Sequence, residues 1–180
     1  ITVPNATIGN TTIDITLLDS TTSEPIPNAP IAITYVNGTS ITEGTTNENG
    51  TVEIPVDLAA GDNNITITYP GDETYNQTSK NITININKRE TITDANITNN
   101  TAGNVTVNVA VEDAQTHTPV TGTVVIKNEN STIIGQGVLD NEGKAIIIVD
   151  IDTIGEYPIT IEYPGNDEYK SSTTNKVVEV

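Results

Sequence analysis

The chain has 180 residues with no Phe, Trp, Met or Cys and only six Tyr, so its core must be assembled from Ile, Val, Leu and Ala. That composition excludes a disulfide framework and a thiol nucleophile, and its β-branched character favours strands. A formal net charge of −17, about −8 over residues 1–88 and −9 over 89–180, opposes nucleic acid or an anionic membrane surface as a partner and favours cations.

Residues 1–88 show seven short segments of period-two alternation separated by turn residues, at roughly 1–8, 12–19, 30–37, 40–46, 51–58, 63–69 and 79–87. Asn47-Glu-Asn-Gly50 reads as a hairpin turn whose glycine supplies a positive φ. Residues 89–180 repeat the pattern at roughly 90–98, 104–113, 122–129, 132–139, 144–151, 156–163 and 172–180, with Asp140-Asn-Glu-Gly143 as the matching turn. No segment has a helical period. The longest apolar run, Ala145 to Val149, is far too short to span a bilayer, so no membrane insertion is expected within this segment.

The two halves align residue by residue. At an offset of 94, Ile13, Ile15, Leu17 and Asp19 fall on Val107, Val109, Val111 and Asp113. At 93, Gly44, Gly50, Ile54 and Val56 fall on Gly137, Gly143, Ile147 and Val149, and the offset then returns to 94. Two units of one fold, 1–88 and 89–180, is the economical reading. Seven antiparallel strands with one apolar face each close into a two-sheet sandwich, so the expected class is all-β: two tandem immunoglobulin-like sandwiches.

One stretch organises each unit: Tyr69-Pro-Gly-Asp-Glu-Thr-Tyr75 and Tyr163-Pro-Gly-Asn-Asp-Glu-Tyr169. The first tyrosine closes the apolar face of a strand. Proline then ends the ladder, and Gly71 or Gly165 turns the chain. Tyr75 and Tyr169 are expected to pack over the open end of the sandwich. Together with Gly50, Leu58-Ala-Ala-Gly61 and Ser79, and in the second unit Gly143, Gly155, Ser171 and Ser172, this pattern resembles the bacterial and archaeal Ig-like repeat domains of long surface proteins. Asn166 stands where the pattern has Asp. The richness in Asn, Thr and Ile resembles archaeal adhesin-like proteins. The resemblance implies an extracellular, cell-surface stalk or spacer whose partners are neighbouring Ig-like repeats, with binding carried by some units or by a tip.

Candidate chemistry is sparse. His117, the only histidine, lies in a Gln-Thr-His-Thr-Pro loop, so no histidine triad or histidine-rich metal site can be built. Asp150 and Asp152 share a strand face, but a carboxylate pair without a cleft is not a general acid and base. No enzyme activity is expected. Lys127, Lys144, Lys170 and Lys176 are the lysines that could join an Asn or Asp side chain in an isopeptide bond resembling that of pilin domains, although no lysine stands in an early strand. In a head-to-tail pair the junction loops would carry Asp62, Glu90, Asp113, Asp167 and Glu168, hard oxygen ligands suited to calcium. The competing reading is that these are solubilising loop acids, because no contiguous calcium loop is present.

Eleven asparagines stand in acceptor sequons: Asn5, Asn10, Asn37, Asn49, Asn64, Asn76, Asn81, Asn96, Asn99, Asn104 and Asn130. In a strand, residues i and i+2 share a face, so a solvent face of Asn and Thr generates this pattern without selection for sugar. In an exported archaeal chain some sites would be used. Two functional classes stay open: a structural repeat of a surface adhesin or filament, and an adhesin module holding a host or cell-surface carbohydrate or protein through loop acids and tyrosines. Tyr35, His117 and Tyr157 occur in one unit only, and such features would favour the binding module. A spacer is expected to be elongated, with its ends at opposite poles. Ile1 aligns with Ala95, so the first unit lacks residues that its counterpart has. A piece of a tandem array, monomeric at micromolar concentration, is expected over self-association into filaments by strand donation.

Overall fold

A computed structural model describes residues 1–180, which divide into two compact units, Ile1–Lys88 and Arg89–Val180. Unit 1 contains β1 (Ala6–Thr7), β2 (Asn10–Thr16), β3 (Pro30–Tyr35), β4 (Ser40–Thr45), β5 (Thr51–Val56), β6 (Gly61–Tyr69) and β7 (Thr78–Ile86), with no helix. One sheet has the order β1-β2-β5 and the other β4-β3-β6-β7, and all neighbours are antiparallel. Unit 2 repeats this plan with β8 (Thr91–Thr101), β9 (Asn104–Asp113), β10 (Gly122–Asn128), β11 (Ile133–Leu139), β12 (Lys144–Val149), β13 (Glu156–Tyr163) and β14 (Ser172–Glu179). Its sheets are β8-β9-β12 and β11-β10-β13-β14. Both units are immunoglobulin-like sandwiches, the all-β class that the alternation predicts.

The period of two decides which side chains meet. In β2, Ile13 and Ile15 point inward, and they pack with Ile31 and Ile33 of β3, Ile54 and Val56 of β5, and Ile65, Ile67 and Tyr69 of β6. In unit 2 Val105, Val107, Val109 and Val111 of β9 face Ile126 of β10, Ile147 of β12 and Ile161 and Tyr163 of β13. Burying each such side chain contributes about 1.5–3 kcal/mol, which lets units this small close without a disulfide. Polar groups inside are paired. Thr46 Oγ1 donates to Ile26 O at 2.7 Å and accepts from Ala29 N at 2.9 Å, while Thr91 and Thr93 each lie 2.7 Å from the Ser172 hydroxyl. That second cluster ties β8, from one sheet, to β14, from the other.

The structure corrects three expectations. The first strand, expected over 1–8, is reduced to Ala6–Thr7, with Thr2 bridged to Asp14; Pro4 lacks the N–H that a continuous ladder would need. The turns at 47–50 and 140–143 are not hairpins within a sheet. β4 and β5 belong to different sheets, as do β11 and β12, so each turn carries the chain across the sandwich. Asp62, expected in a loop, is the second residue of β6. No helix of the chain is long and apolar enough to cross a membrane.

Candidate functional site

The two Tyr-Pro-Gly loops share one geometry. Asp72 Oδ1 accepts from the N–H groups of Thr74 (2.7 Å) and Tyr75 (2.8 Å), and Asn166 Oδ1 accepts from Glu168 and Tyr169, both at 2.8 Å. The turn therefore requires a side-chain carbonyl oxygen and not a charge, which is why Asn replaces Asp in the second unit. Gly71 and Gly165 take φ of 81° and 84°, and a Cβ on either would lie 2.7 Å from the carbonyl oxygen of Tyr75 or Tyr169. The first tyrosine of each motif is buried. Tyr69 donates its hydroxyl to Asp72 Oδ2 at 2.8 Å, whereas the Tyr163 hydroxyl points to Thr121 O at 3.4 Å. Burial raises both phenols, with Asp72 adding to the rise at Tyr69 and Tyr169 and Glu168 at Tyr163. The N–H groups of Thr74 and Tyr75, then the Tyr69 hydroxyl, hold the Asp72 carboxyl below its usual value.

A polar cluster in unit 2 is centred on Arg89. Its backbone bridges Glu168 O (2.9 Å) and Lys170 N (2.8 Å), placing the side chain over Asp113. Arg89 Nε lies 2.6 Å from Asp113 Oδ2, and its Nη2 donates to Thr116 Oγ1 at 3.3 Å. The first contact is an ion pair rather than an aligned hydrogen bond. The guanidinium carbon sits 5.7 Å from the centre of the Tyr169 ring, within cation–π range. Asp113 is only 1% exposed. Burial pushes its carboxyl upward, but the N–H groups of Thr116 and Gln115, the Thr116 hydroxyl and the Arg89 charge outweigh that and hold it below its ordinary value.

These contacts account for most of the acids read as calcium ligands. Asp113 is taken by Arg89, and Glu90 by Lys170 Nζ at 2.6 Å, while Asp62 in the other unit accepts from Asn85 Nδ2 at 2.6 Å. Asp167 and Glu168 lie exposed in the Tyr163–Tyr169 loop. No three carboxylates or imidazoles group closely enough to hold a metal ion, and within unit 2 the donor set does not fit calcium, because two of its four acids already neutralise cations. Arg89 is the organising residue that sequence reasoning missed; its signal is a lone arginine at the joint of two repeats.

His117 takes φ of 56° at the alignment position of Ser23 (φ 61°), and each closes a loop by donating N–H to the carbonyl of Asp113 or Asp19 at 2.9 Å. Its ring Nδ1 lies 2.7 Å from Glu112 Oε1 on the surface. The four lysines weighed for an isopeptide bond all face carboxylates as ion pairs: Lys127 with Glu162, Lys144 with Glu142, Lys170 with Glu90 and Lys176 with Asp94. Ten of the eleven sequon asparagines are exposed; Asn99 is half-buried, and its Nδ2 donates to Asn104 O at 2.7 Å. Between β6 and β7, two sequons face each other. Thr83 Oγ1 donates to Asn64 Oδ1 (2.7 Å) and Thr66 Oγ1 to Asn81 Oδ1 (2.9 Å), so cross-strand pairing alone accounts for both motifs.

Elsewhere in unit 2 a cleft of about 430 Å³ is lined by Glu129, Asp150, Asp152, Glu156 and Tyr157 among others. The Tyr157 hydroxyl bonds Thr153, and the neighbouring Asp152 raises the Asp150 carboxyl. Unit 1 has Asn63 at the aligned position, its amide spent on Ala59 O (2.8 Å) and Gly61 O (3.0 Å).

Two family models match this architecture, one described as a bacterial Ig-like domain (group 3) over residues 92–180 and one as a prealbumin-like fold domain over residues 11–101. The chain belongs to the prealbumin-like fold domain family, whose model spans half of it, and residues 92–180 are similar to the bacterial Ig-like domain. The prealbumin-like match extends beyond Lys88 into β8, although residues from Arg89 onward pack within the second Ig-like unit. Similar solved structures include the D0-D1 domain of intimin (15% identity, 98% of this chain and 93% of that chain, TM-score 0.37). The adhesin InvE of Yersinia pseudotuberculosis (16%, 97% and 55%, TM-score 0.40) and the BSP domain of a biofilm-associated protein (17%, 99% and 29%, TM-score 0.34) are further ones. No curated protein matches the chain significantly.

Proposed function

We propose that the chain is a non-enzymatic structural repeat of an extracellular, adhesin-like cell-surface protein, in which Ig-like units serve as spacers beside further repeats of the same kind. One observation carries this reading: the polar groups at equivalent positions of both units are spent on closing the same loops. Asp19 and Asp113, Asn47 and Asp140, and Asp72 and Asn166 each accept from backbone N–H groups two to four residues on. Side chains used this way make a unit that can be repeated, and they are not offered to a ligand. Exposed sequons fit a glycoprotein of an exported, archaeal-type source.

Force spectroscopy on the 180-residue chain between inert handles tests the spacer. Two unfolding steps are expected, each releasing on the order of 300 Å of chain, since an extended residue spans at most ~3.3–3.6 Å. A single step, or unfolding with no force peak, would refute it. The second reading, an adhesin module, draws on the Tyr157 cleft, at whose aligned position unit 1 has Asn63. Saturable binding to a carbohydrate array that is lost in both Tyr157→Ala and Asp152→Asn would favour it over the spacer.

A further inference from the structure

We propose that Asn37 is a self-modifying residue: the turn around it favours attack of the Gly38 backbone nitrogen on the Asn37 side-chain amide, which releases ammonia and leaves aspartate and isoaspartate.

The turn that holds Asn37 is built at four places, led by Tyr35, Asn47, Asn128 and Asp140. In each, the N–H of the leading residue donates to the carbonyl four residues on (2.8–2.9 Å), and the N–H three residues on donates back to the leading carbonyl (2.9–3.0 Å). Three of these turns place an asparagine just before the residue of positive φ: Asn37-Gly38, Asn49-Gly50 and Asn130-Ser131, at φ of 87°, 69° and 61°. They differ in which oxygen takes the N–H at the end of the turn. Where Asn or Asp leads, its own Oδ1 does so: Asn47 accepts from Thr51 N (3.1 Å), Asn128 from Thr132 N (3.0 Å) and Asp140 from Lys144 N (2.9 Å). Tyr35 has no such oxygen. The Thr39 N–H goes instead to Oδ1 of Asn37, at 3.0 Å.

That exchange readies the amide. An asparagine oxygen bonded to the N–H two residues on lays its side chain along the intervening peptide, here the one whose nitrogen must attack. The Thr39 N–H also faces the oxygen on which negative charge develops as that nitrogen adds to Cγ. The step balances with water alone. A solvent base removes the Gly38 N–H proton, the N–Cγ bond forms, and the amide nitrogen leaves as ammonia with a proton from water. Water then opens the five-membered imide, giving aspartate when the N–Cγ bond breaks and isoaspartate when the original peptide bond breaks.

Ring closure also needs the next residue to move and to give up its N–H bond. Gly38 is exposed, and a Cβ on it would meet nothing within 4 Å. Gly50 is buried, its carbonyl accepts from Leu17 N at 2.8 Å, and a Cβ on it would sit 2.5 Å from Leu17 O. Asn49 therefore closes a ring only when its turn opens. At Asn130 the Ser131 side chain crowds the attacking nitrogen, and the Thr132 N–H is already taken by Asn128. Asn37 is also a sequon asparagine, and a sugar on its amide nitrogen would put a bulky glycosylamine in place of ammonia as the leaving group. The conversion thus marks chains that carry no sugar there, adding one negative charge and, in the isoaspartate form, one more backbone carbon between β3 and β4.

The test is peptide mapping by mass spectrometry of the full 180-residue chain, made in a host that adds no sugar and aged at mildly alkaline pH both folded and in urea. In the folded chain Asn37 should convert about tenfold or more ahead of Asn49 and Asn130, with both products present. In urea Asn37 and Asn49, each followed by glycine, should convert at the same rate. Tyr35→Asn supplies the missing leading oxygen and should slow Asn37 about tenfold in the folded chain while leaving the Asn37-Gly38 pair intact. Thr39→Pro, which removes the donor itself, serves if that variant fails to fold, and the comparison of folded and urea-treated wild type depends on neither. An unreactive Asn37, an Asn49 that keeps pace with it in the folded chain, a lead that persists in urea, or a rate unchanged in the variant would each overturn the proposal.

Discussion

Gly9 and Gly50 lie in the same unit with nearly the same backbone, at φ 71° and 69°, but in opposite surroundings. A Cβ on Gly9 meets nothing within 4 Å, whereas one on Gly50 would sit 2.5 Å from Leu17 O and 3.0 Å from Pro25 Cβ. Replacing either with Ala costs about 1–2 kcal/mol for left-handed backbone, offset by about 0.4–1 kcal/mol from the stiffer unfolded chain. Gly9→Ala should therefore destabilise by only about 1 kcal/mol. In Gly50→Ala the Leu17 carbonyl must also move, although it accepts from Ile26 N at 3.1 Å while Leu17 N donates to Gly50 O at 2.8 Å. Weakening both bonds adds about 2–3 kcal/mol, for a total of about 3–4 kcal/mol. The readout is the opening free energy from amide exchange of β2 and β5 in each variant, which isolates unit 1. At about 4–8 °C per kcal/mol for a domain of this size, the two variants should also differ in melting temperature by roughly 10–20 °C. Equal losses, within about 0.5 kcal/mol, would refute the steric account of the turn.

Asp113→Ala should destabilise unit 2 by about 2–4 kcal/mol, since it strands two backbone N–H groups and the Arg89 charge; Asp113→Asn should cost less, as the urea midpoint of unit 2 will show. Because the folded carboxyl titrates below its unfolded value of about 3.9, its stabilisation is complete above that pH and is lost as pH falls through the folded value. The acid limb of unit 2 stability below about pH 4 should accordingly flatten in Asp113→Asn. Asp72→Asn should keep the melting temperature of unit 1 close to wild type, and Asp72→Ala should lower it, because Asn166 already performs the turn in unit 2. Expression in a host with an oligosaccharyltransferase, followed by peptide mapping, should find glycans at exposed sequons such as Asn37 and Asn130 and none at Asn99, whose amide nitrogen is engaged.

The fold class is legible because alternation is a local signal: Ile13 and Ile15, or Val107 and Val109, can share a face only in an extended strand. Sheet membership is not local. Nothing in Asn47-Glu-Asn-Gly50 reveals that β5 leaves the sheet of β4, since that choice depends on β2 being available as a partner. The candidate site was least legible. Asp113 and Glu90 look like free acids in the sequence, and only the placement of Arg89 and Lys170 beside them shows that they are neutralised. The Arg89 side chain reaches Asp113 because its backbone is pinned by Glu168 and Lys170, roughly eighty residues away in the chain.

The Asp62–Asn85, Asn64–Thr83 and Thr66–Asn81 contacts form a ladder between β6 and β7 in which two of the three rungs join neutral groups. Ions at high concentration weaken charge pairs but have little hold on bonds between amides and hydroxyls. The same ions damp the mutual repulsion of the acids in the chain. A surface laced in this way should hold, and even tighten, as the surrounding medium becomes more saline, a property suited to a domain with no control over the water it meets.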